Sequence, residues 1–280
     1  MKKVKNNPIF MFFVYVVCAF LTVLSVMPFL IMVINATRST VEIQQHAISL
    51  IPSTHLLSNF QILTGKSFNP MRGFINSMII STGATACTVY FSSLTAYALV
   101  VYDWKFRQSF FTFIMAVMMI PTQVVTIGFY QFMYKIHMTN NFLALILPAV
   151  AAPTTVFFMR QFMLSALPLE VVDSARIDGS REFYTFNHIV LPIMKPAIAT
   201  QAIFSFVSSW NNLFLPLILL TRQEKYTMPI MVSLLKGDIY KTEYGAIYMG
   251  LTLTVLPLFI VYFLLSKYII AGVALGSVKG

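Results

Sequence analysis

This chain has very little charge. Only 10% of its 280 residues are charged, 19 basic and nine acidic, against roughly 25% in an ordinary soluble domain. Cysteine is equally sparse: Cys18 and Cys87 both fall inside apolar runs, where they imply neither a disulfide framework nor a metal site and read as small packing residues. The four histidines, His46, His55, His137 and His188, lie in loops or at the ends of apolar runs, with no pair at metal-ligand or catalytic spacing. Gly65-Lys66-Ser67 has the ending of a phosphate-binding loop, but Phe60 stands where its first glycine is required, so nucleotide binding there is not expected. The net charge of +10 comes from basic residues scattered between apolar runs rather than gathered on one face. That argues against a nucleic-acid footprint and for the basic bias of a membrane protein.

Apolar sequence takes the place of charge: 58% of the residues are hydrophobic. A bilayer core about 30 Å thick asks for about 20 consecutive apolar residues per spanning helix. Six such runs are present, at 9–34, 74–101, 110–134, 142–159, 189–220 and 247–270. They are continuous and rich in Leu, Ile, Met and Phe. A β-barrel shows ten-residue segments of alternating polarity instead, so the expected class is an all-α membrane protein with six transmembrane helices. The opening MKKVKNN followed by grease has the outline of a signal peptide. Its apolar run is too long for one, however, and no small-residue cleavage site follows, so it is read as a retained first span.

With the N-terminus in the cytoplasm, six spans return the C-terminus there too. Eleven Lys and Arg then lie inside and eight outside, and the short segments agree, with Lys2, Lys3 and Lys5 followed by Lys105 and Arg107. The expected layout is a cytoplasmic N-terminus at 1–8, a single transmembrane domain over 9–270 with a long cytoplasmic loop at about 165–188, and a cytoplasmic tail at 271–280.

Within the spans, ionisable residues occur only near the ends, at Lys195 and Lys267. Proton- and voltage-driven machines generally place such residues at membrane depth, which weighs against an ion-coupled carrier. No nucleophile–base set or metal set suggests an enzyme. The polarity that remains is uncharged. Gln201, Ser205, Ser208 and Asn212 are spaced by four, three and four, one stripe of a helix, flanked by Trp210 and Asn211. The third run carries a shorter version in Gln123, Thr126 and Tyr130. Two readings fit: hydrogen bonds between packed helices, or the lining of a wet pathway for a polar, uncharged solute.

The long loop is where charge returns. EVVDSARIDGSREF, residues 170–183, carries six of the 28 charged residues. Pro168 suits a helix start, Glu170 and Asp173 complement the dipole of the first turn, and Asp178-Gly179 signals a turn. The pattern predicts a short helix, a break at Gly179 and a second helix from about Arg181. Val171, Val172 and Ala175 make a small apolar face, with Glu170, Asp173 and Arg176 spaced by three on another side. Such a helix rests on lipid headgroups or docks in a groove on a partner protein.

Residues 169–196 resemble the EAA loop of ABC-transporter permease subunits, in which Glu-Ala-Ala precedes Asp-Gly and an apolar stretch ends in Leu-Pro and a further proline. The matching positions are Asp173-Ser174-Ala175, Asp178-Gly179, Leu191-Pro192 and Pro196. Glu has become Asp and the first Ala has become Ser, changes that keep size and polarity close. SWNNLFLPL at 209–217 and the ending ALGSVKG are similar to the carbohydrate-uptake, MalG-type branch of the binding-protein-dependent inner membrane components.

The resemblance implies a permease subunit in a bacterial inner membrane, forming half of the pathway for a sugar or oligosaccharide. Its partners would be a second permease subunit, two cytoplasmic ATPase subunits that bind the ATP and Mg, and an external solute-binding protein. The chain itself would need no cofactor. The coupling helix would be carried by Glu170, Asp173, Ser174, Ala175, Asp178, Gly179 and Pro192, and the tail residues Val278, Lys279 and Gly280 would reach the ATPases. An importer for another polar solute is the nearest alternative, with an ion-coupled carrier further off.

Overall fold

A computed structural model describes residues 8–65, 69–235 and 242–277, with side chains described except at 122, 123 and 264–277. Along the chain come α1 (Pro8–Asn35), α2 (Thr40–Gln45), α3 (Leu56–Gly65), α4 (Pro70–Val101), α5 (Arg107–Val117) and α6 (Thr122–Lys135). After α7 (Leu143–Ile146) and a 3-10 turn (Leu147–Val150) follow α8 (Pro153–Ala166) and α9 (Leu169–Ile177). α10 (Glu182–Thr185) runs through a π turn (Phe186–Val190) into α11 (Leu191–Ile193), followed by α12 (Lys195–Trp210) and α13 (Phe214–Leu219). A second 3-10 turn (Gln223–Lys225), α14 (Met228–Leu234) and α15 (Tyr244–Ser277) complete it. The regular structure among the described residues is helical, with no strand, as the continuous apolar runs require.

Two compact units are formed. The first holds the described residues up to Pro70 together with Val232–Val255; the second holds Met71–Met231 and the chain from Leu256 onward. In the first, α1 is apolar on every side, with a mean hydropathy of 2.7, and Asn35 at its end is its one buried residue. The loop beyond it is tied by polar side chains. Arg38, 6% exposed, donates to Asn35 Oδ1 at 3.0 Å, His46 O at 2.7 Å and Glu42 O at 2.9 Å. The Asn59 amide donates to Ala36 O and Arg38 O. α2 opens on a capping box, Ser39 N donating to Glu42 Oε2 and Glu42 N to Ser39 Oγ. At the start of α15, Gly245 is packed so tightly on Asn59 and the Arg38 carbonyl that a Cβ would overlap both; only glycine admits that approach.

In the second unit, α4 is the central mast. It buries a row of small and hydroxyl residues, among them Ser77, Ser81, Ala84, Thr88, Ser92 and Ala96, which let neighbouring backbones come close. Near the end of α4 an apolar core gathers Tyr97 and Val100 with Met159 and Met163 of α8, Val172 of α9, and Phe186 and Val190 of the π turn.

Among the described residues, four stretches are long and apolar enough to cross a membrane: Pro8–Asn35, Pro70–Val101, Leu143–Ala166 and Tyr244–Phe263. A fifth is the pair Glu182–Ile193 and Lys195–Trp210, bent by 82°. Pro192 and Pro196 sit in the first turns of α11 and α12, where a missing N–H is tolerated, and the new axis begins there. The expected single span at 110–134 is instead two helices, α5 and α6, of 11 and 14 residues. Pro121 explains the break: it has no N–H to continue the ladder, and it disfavours helical geometry at Ile120.

Candidate functional site

The loop at 165–188 is built as its residues dictate. Pro168 caps the start of α9 in an extended conformation, which its ring and the absence of an N–H favour. The helix ends in a Schellman motif: Gly179 N donates to Arg176 O at 3.0 Å and Ser180 N to Ala175 O at 2.9 Å. Gly179 has φ +77°, a conformation that glycine adopts at no steric cost. The turn reverses the chain, and α10 begins at Glu182, one residue from the expected start.

α9 is two-faced. Val172 is fully buried and Ala175 nearly so, both held by the core. Val171, expected on the same face, is exposed, because its 100° step from Val172 carries it off the narrow stripe. Glu170, Asp173, Ser174, Ile177, Asp178 and Gly179 form the exposed side. The Ser174 hydroxyl is used internally, donating to Glu170 O at 2.8 Å. Pro192 is exposed at the start of α11, away from α9 in sequence but on the continuous 182–193 arm.

A charged cluster crosses the turn. Arg176 Nε donates to Glu182 Oε1 at 2.7 Å, and its Nη1 to Asp173 Oδ1 at 3.2 Å. The guanidinium lies over the Tyr102 ring, 5.4 Å from its centre. Tyr97, 3% exposed on α4, donates its hydroxyl to Glu182 Oε2 at 2.9 Å. Chiefly through the Arg176 hydrogen bond, the Glu182 carboxyl is held down at about 2.

The polar stripe of the fifth run is less uniform than its spacing suggests. Gln201 is 8% exposed and Trp210 1%; Trp210 stacks on Phe206 and meets Phe74 edge-on. Ser205 is half-buried, while Ser208, Asn211 and Asn212 are exposed. α12 stops at Trp210, so Asn212 is no longer on the stripe; its Oδ1 accepts from Leu215 N at 3.4 Å and helps start α13. On α6, Thr126 is half-buried; the side chain of Gln123 and the tail residues Val278, Lys279 and Gly280 lie outside the described residues.

A profile of the family described as "Binding-protein-dependent transport system inner membrane component" matches residues 88–274, taking in the loop, the bend and the stripe. The chain belongs to this family. The arabinooligosaccharides transport system permease protein AraQ of Halalkalibacterium halodurans is 36% identical over 280 residues, 99% of this chain and 100% of its own. The lactose transport system permease protein LacG of Rhizobium radiobacter is 32% identical over 265 residues, 95% of each. The fold is shared with a bacterial ABC transporter involved in the import of the acidic polysaccharide alginate, at a TM-score of 0.78 and 20% identity over 95% of this chain and 98% of that one.

This is therefore a multi-pass permease subunit of the bacterial inner membrane. Two features of the permease escaped sequence reasoning. One is the Arg176–Glu182–Tyr97 cluster, whose sole linear trace is a charge pair straddling an Asp-Gly turn. The other is the buried polar row of α4, Asn76, Ser77, Ser81, Thr88, Ser92 and Ser93, hidden inside a run whose grease dominates its composition.

Proposed function

We propose that this permease forms half of the translocation pathway of an ATP-driven importer for a sugar or oligosaccharide, and that α9 is the helix by which an ATPase subunit drives it. The two-faced form of α9 carries the reading: Val172 and Ala175 are buried in the permease, leaving the charged Glu170, Asp173 and Asp178 outside together with Gly179 and a fully presented Ile177. A helix seated on one side and offering charges around an apolar anchor on the other suits a groove on a soluble partner. The arabinooligosaccharide and lactose permeases, related over nearly their whole length, support the substrate class.

The remaining assignments follow from this reading. There are six crossings, with α5 and α6 together making one and the bent pair another. Both termini and the α9 loop are cytoplasmic, and 9–270 act as one transmembrane domain. Two ATPase subunits bind ATP and Mg and perform the hydrolysis, an external binding protein delivers the solute, and Val278 to Gly280 reach the ATPases. A second permease chain supplies the other half of the pathway. Of the polar residues, Ser208, Asn211 and Asn212 are those exposed for a solute to meet, with Ser205 and Thr126 half-buried; Gln201 and Trp210 back them from within the bundle. Coupling follows as differential binding: ATPase closure shifts the permease between states only through contacts that differ between them.

The test is uptake by proteoliposomes holding the permease pair, with and without the ATPases. Arabino-oligosaccharide or lactose should accumulate only with ATPases, ATP and a binding protein present. Uptake that persists without ATP would overturn the proposal.

A further inference from the structure

Glu182 sits where three segments meet. One oxygen takes the Arg176 guanidinium of α9 at 2.7 Å and the other takes the Tyr97 hydroxyl of α4 at 2.9 Å. Its own backbone opens the arm that runs through the π turn to the bend. We propose that Glu182 is a positioning residue that locks α9 to α4, so that a displacement of α9 moves α4 in register instead of slipping past it. This rests on the reading of α9 as the ATPase-driven helix.

The argument turns on the kinds of contact available. Val172 meets α4 through apolar packing, which is non-directional and permits sliding. A carboxylate that holds a guanidinium and a phenol on separate oxygens fixes both distances and angles, and charge-assisted bonds of this kind are among the stronger ones. Tyr97 has no freedom to follow another partner. Its ring is 3% exposed and tilted against Phe186 at 5.4 Å, and without Glu182 its hydroxyl would face the core unsatisfied. Arg176, with Asp173 at 3.2 Å and the Tyr102 face beneath it, retains partners of its own. Glu182 thus takes one directional bond from the driven helix and one from the span.

The experiment uses the whole transporter in proteoliposomes and reads three quantities: copurification of the ATPases, ATP hydrolysis, and solute molecules carried per ATP hydrolysed. Tyr97→Phe removes only the hydroxyl, and Glu182→Gln keeps size while removing the charge. Both should retain the ATPases and their hydrolysis, yet carry about fivefold or more less solute per ATP, the scale of a typical coupling between sites. The double variant should be no worse than the poorer single one. The exchange Arg176→Glu with Glu182→Arg rebuilds the ion pair but leaves Tyr97 without its acceptor, so it should stay uncoupled. An unchanged solute-to-ATP ratio in Tyr97→Phe and Glu182→Gln, or full recovery in the exchange, overturns the lock while leaving the docking reading intact. Failure of the unaltered permease to retain the ATPases overturns the docking reading and the lock with it.

Discussion

Arg38 and Arg176 use the same five donors to opposite ends. Arg38 closes a loop on itself: its acceptors are the Asn35 amide and the carbonyls of Glu42 and His46, all within eight residues, and its side chain is sealed from solvent. Arg176 is one-third exposed and pairs with carboxylates, one of them across a turn and shared with a distant helix. A guanidinium spent on nearby carbonyls makes a rigid piece. One spent on a shared carboxylate makes a joint between helices, more exposed and weaker in stability.

Substitutions separate the two. The largest expected effect is that of Gly179→Pro. The turn that brings Glu182 back to Arg176 needs φ +77° and the Gly179 N–H donated to Arg176 O; proline supplies neither, at a cost of about 3 kcal/mol or more. Membrane insertion should persist while ATPase copurification is lost, and unchanged copurification would remove the docking role of this loop. Arg38→Met comes next. It leaves buried acceptors unpaired and should cost about 3 kcal/mol in thermal unfolding of the detergent-purified protein, whereas Arg176→Met should cost about 1 kcal/mol or less, since exposed pairs are screened. Equal melting shifts would erase the distinction between knot and joint.

Acid gives the smallest and most selective effect. The Glu182 carboxyl is held at about 2 against its ordinary 4.5. A lowered folded value means the stabilisation is complete above 4.5 and fades as the pH falls towards 2. Amide-exchange protection in α9 and α10, corrected for intrinsic chemistry, should therefore hold down to about pH 4.5 and drop below it, towards pH 2. Protection that holds there, or that drops equally in Glu182→Gln, would detach this carboxyl from the joint.

The parts legible in the sequence were those with a short-range cause. The Asp178-Gly179 break, the start of α9 after Pro168 and the long spans at 8–35 and 70–101 follow from local dihedral rules and from grease. The 110–134 run reads as one unbroken stretch by hydropathy, which is blind to a helix break that leaves composition unchanged; Pro121 marks where its two helices part. Asn212 fell off its stripe because periodicity presumes a helix that in fact ends at Trp210. The meeting of Tyr97 with Glu182, 85 residues apart, has no periodic trace at all; a buried phenol near a span end announces only that it wants an acceptor.

The 82° bend between Glu182–Ile193 and Lys195–Trp210 has a mechanical meaning. At about 1.5 Å per residue the arm from Glu182 to the bend is roughly 18 Å long, so a rotation of about 10° at the proline pivot sweeps its far end through about 3 Å. On the proposed reading the pair would act as a bell crank: a modest push delivered at α9 would arrive at α12 as a turn about a different axis, with the length of the arm setting the gear ratio.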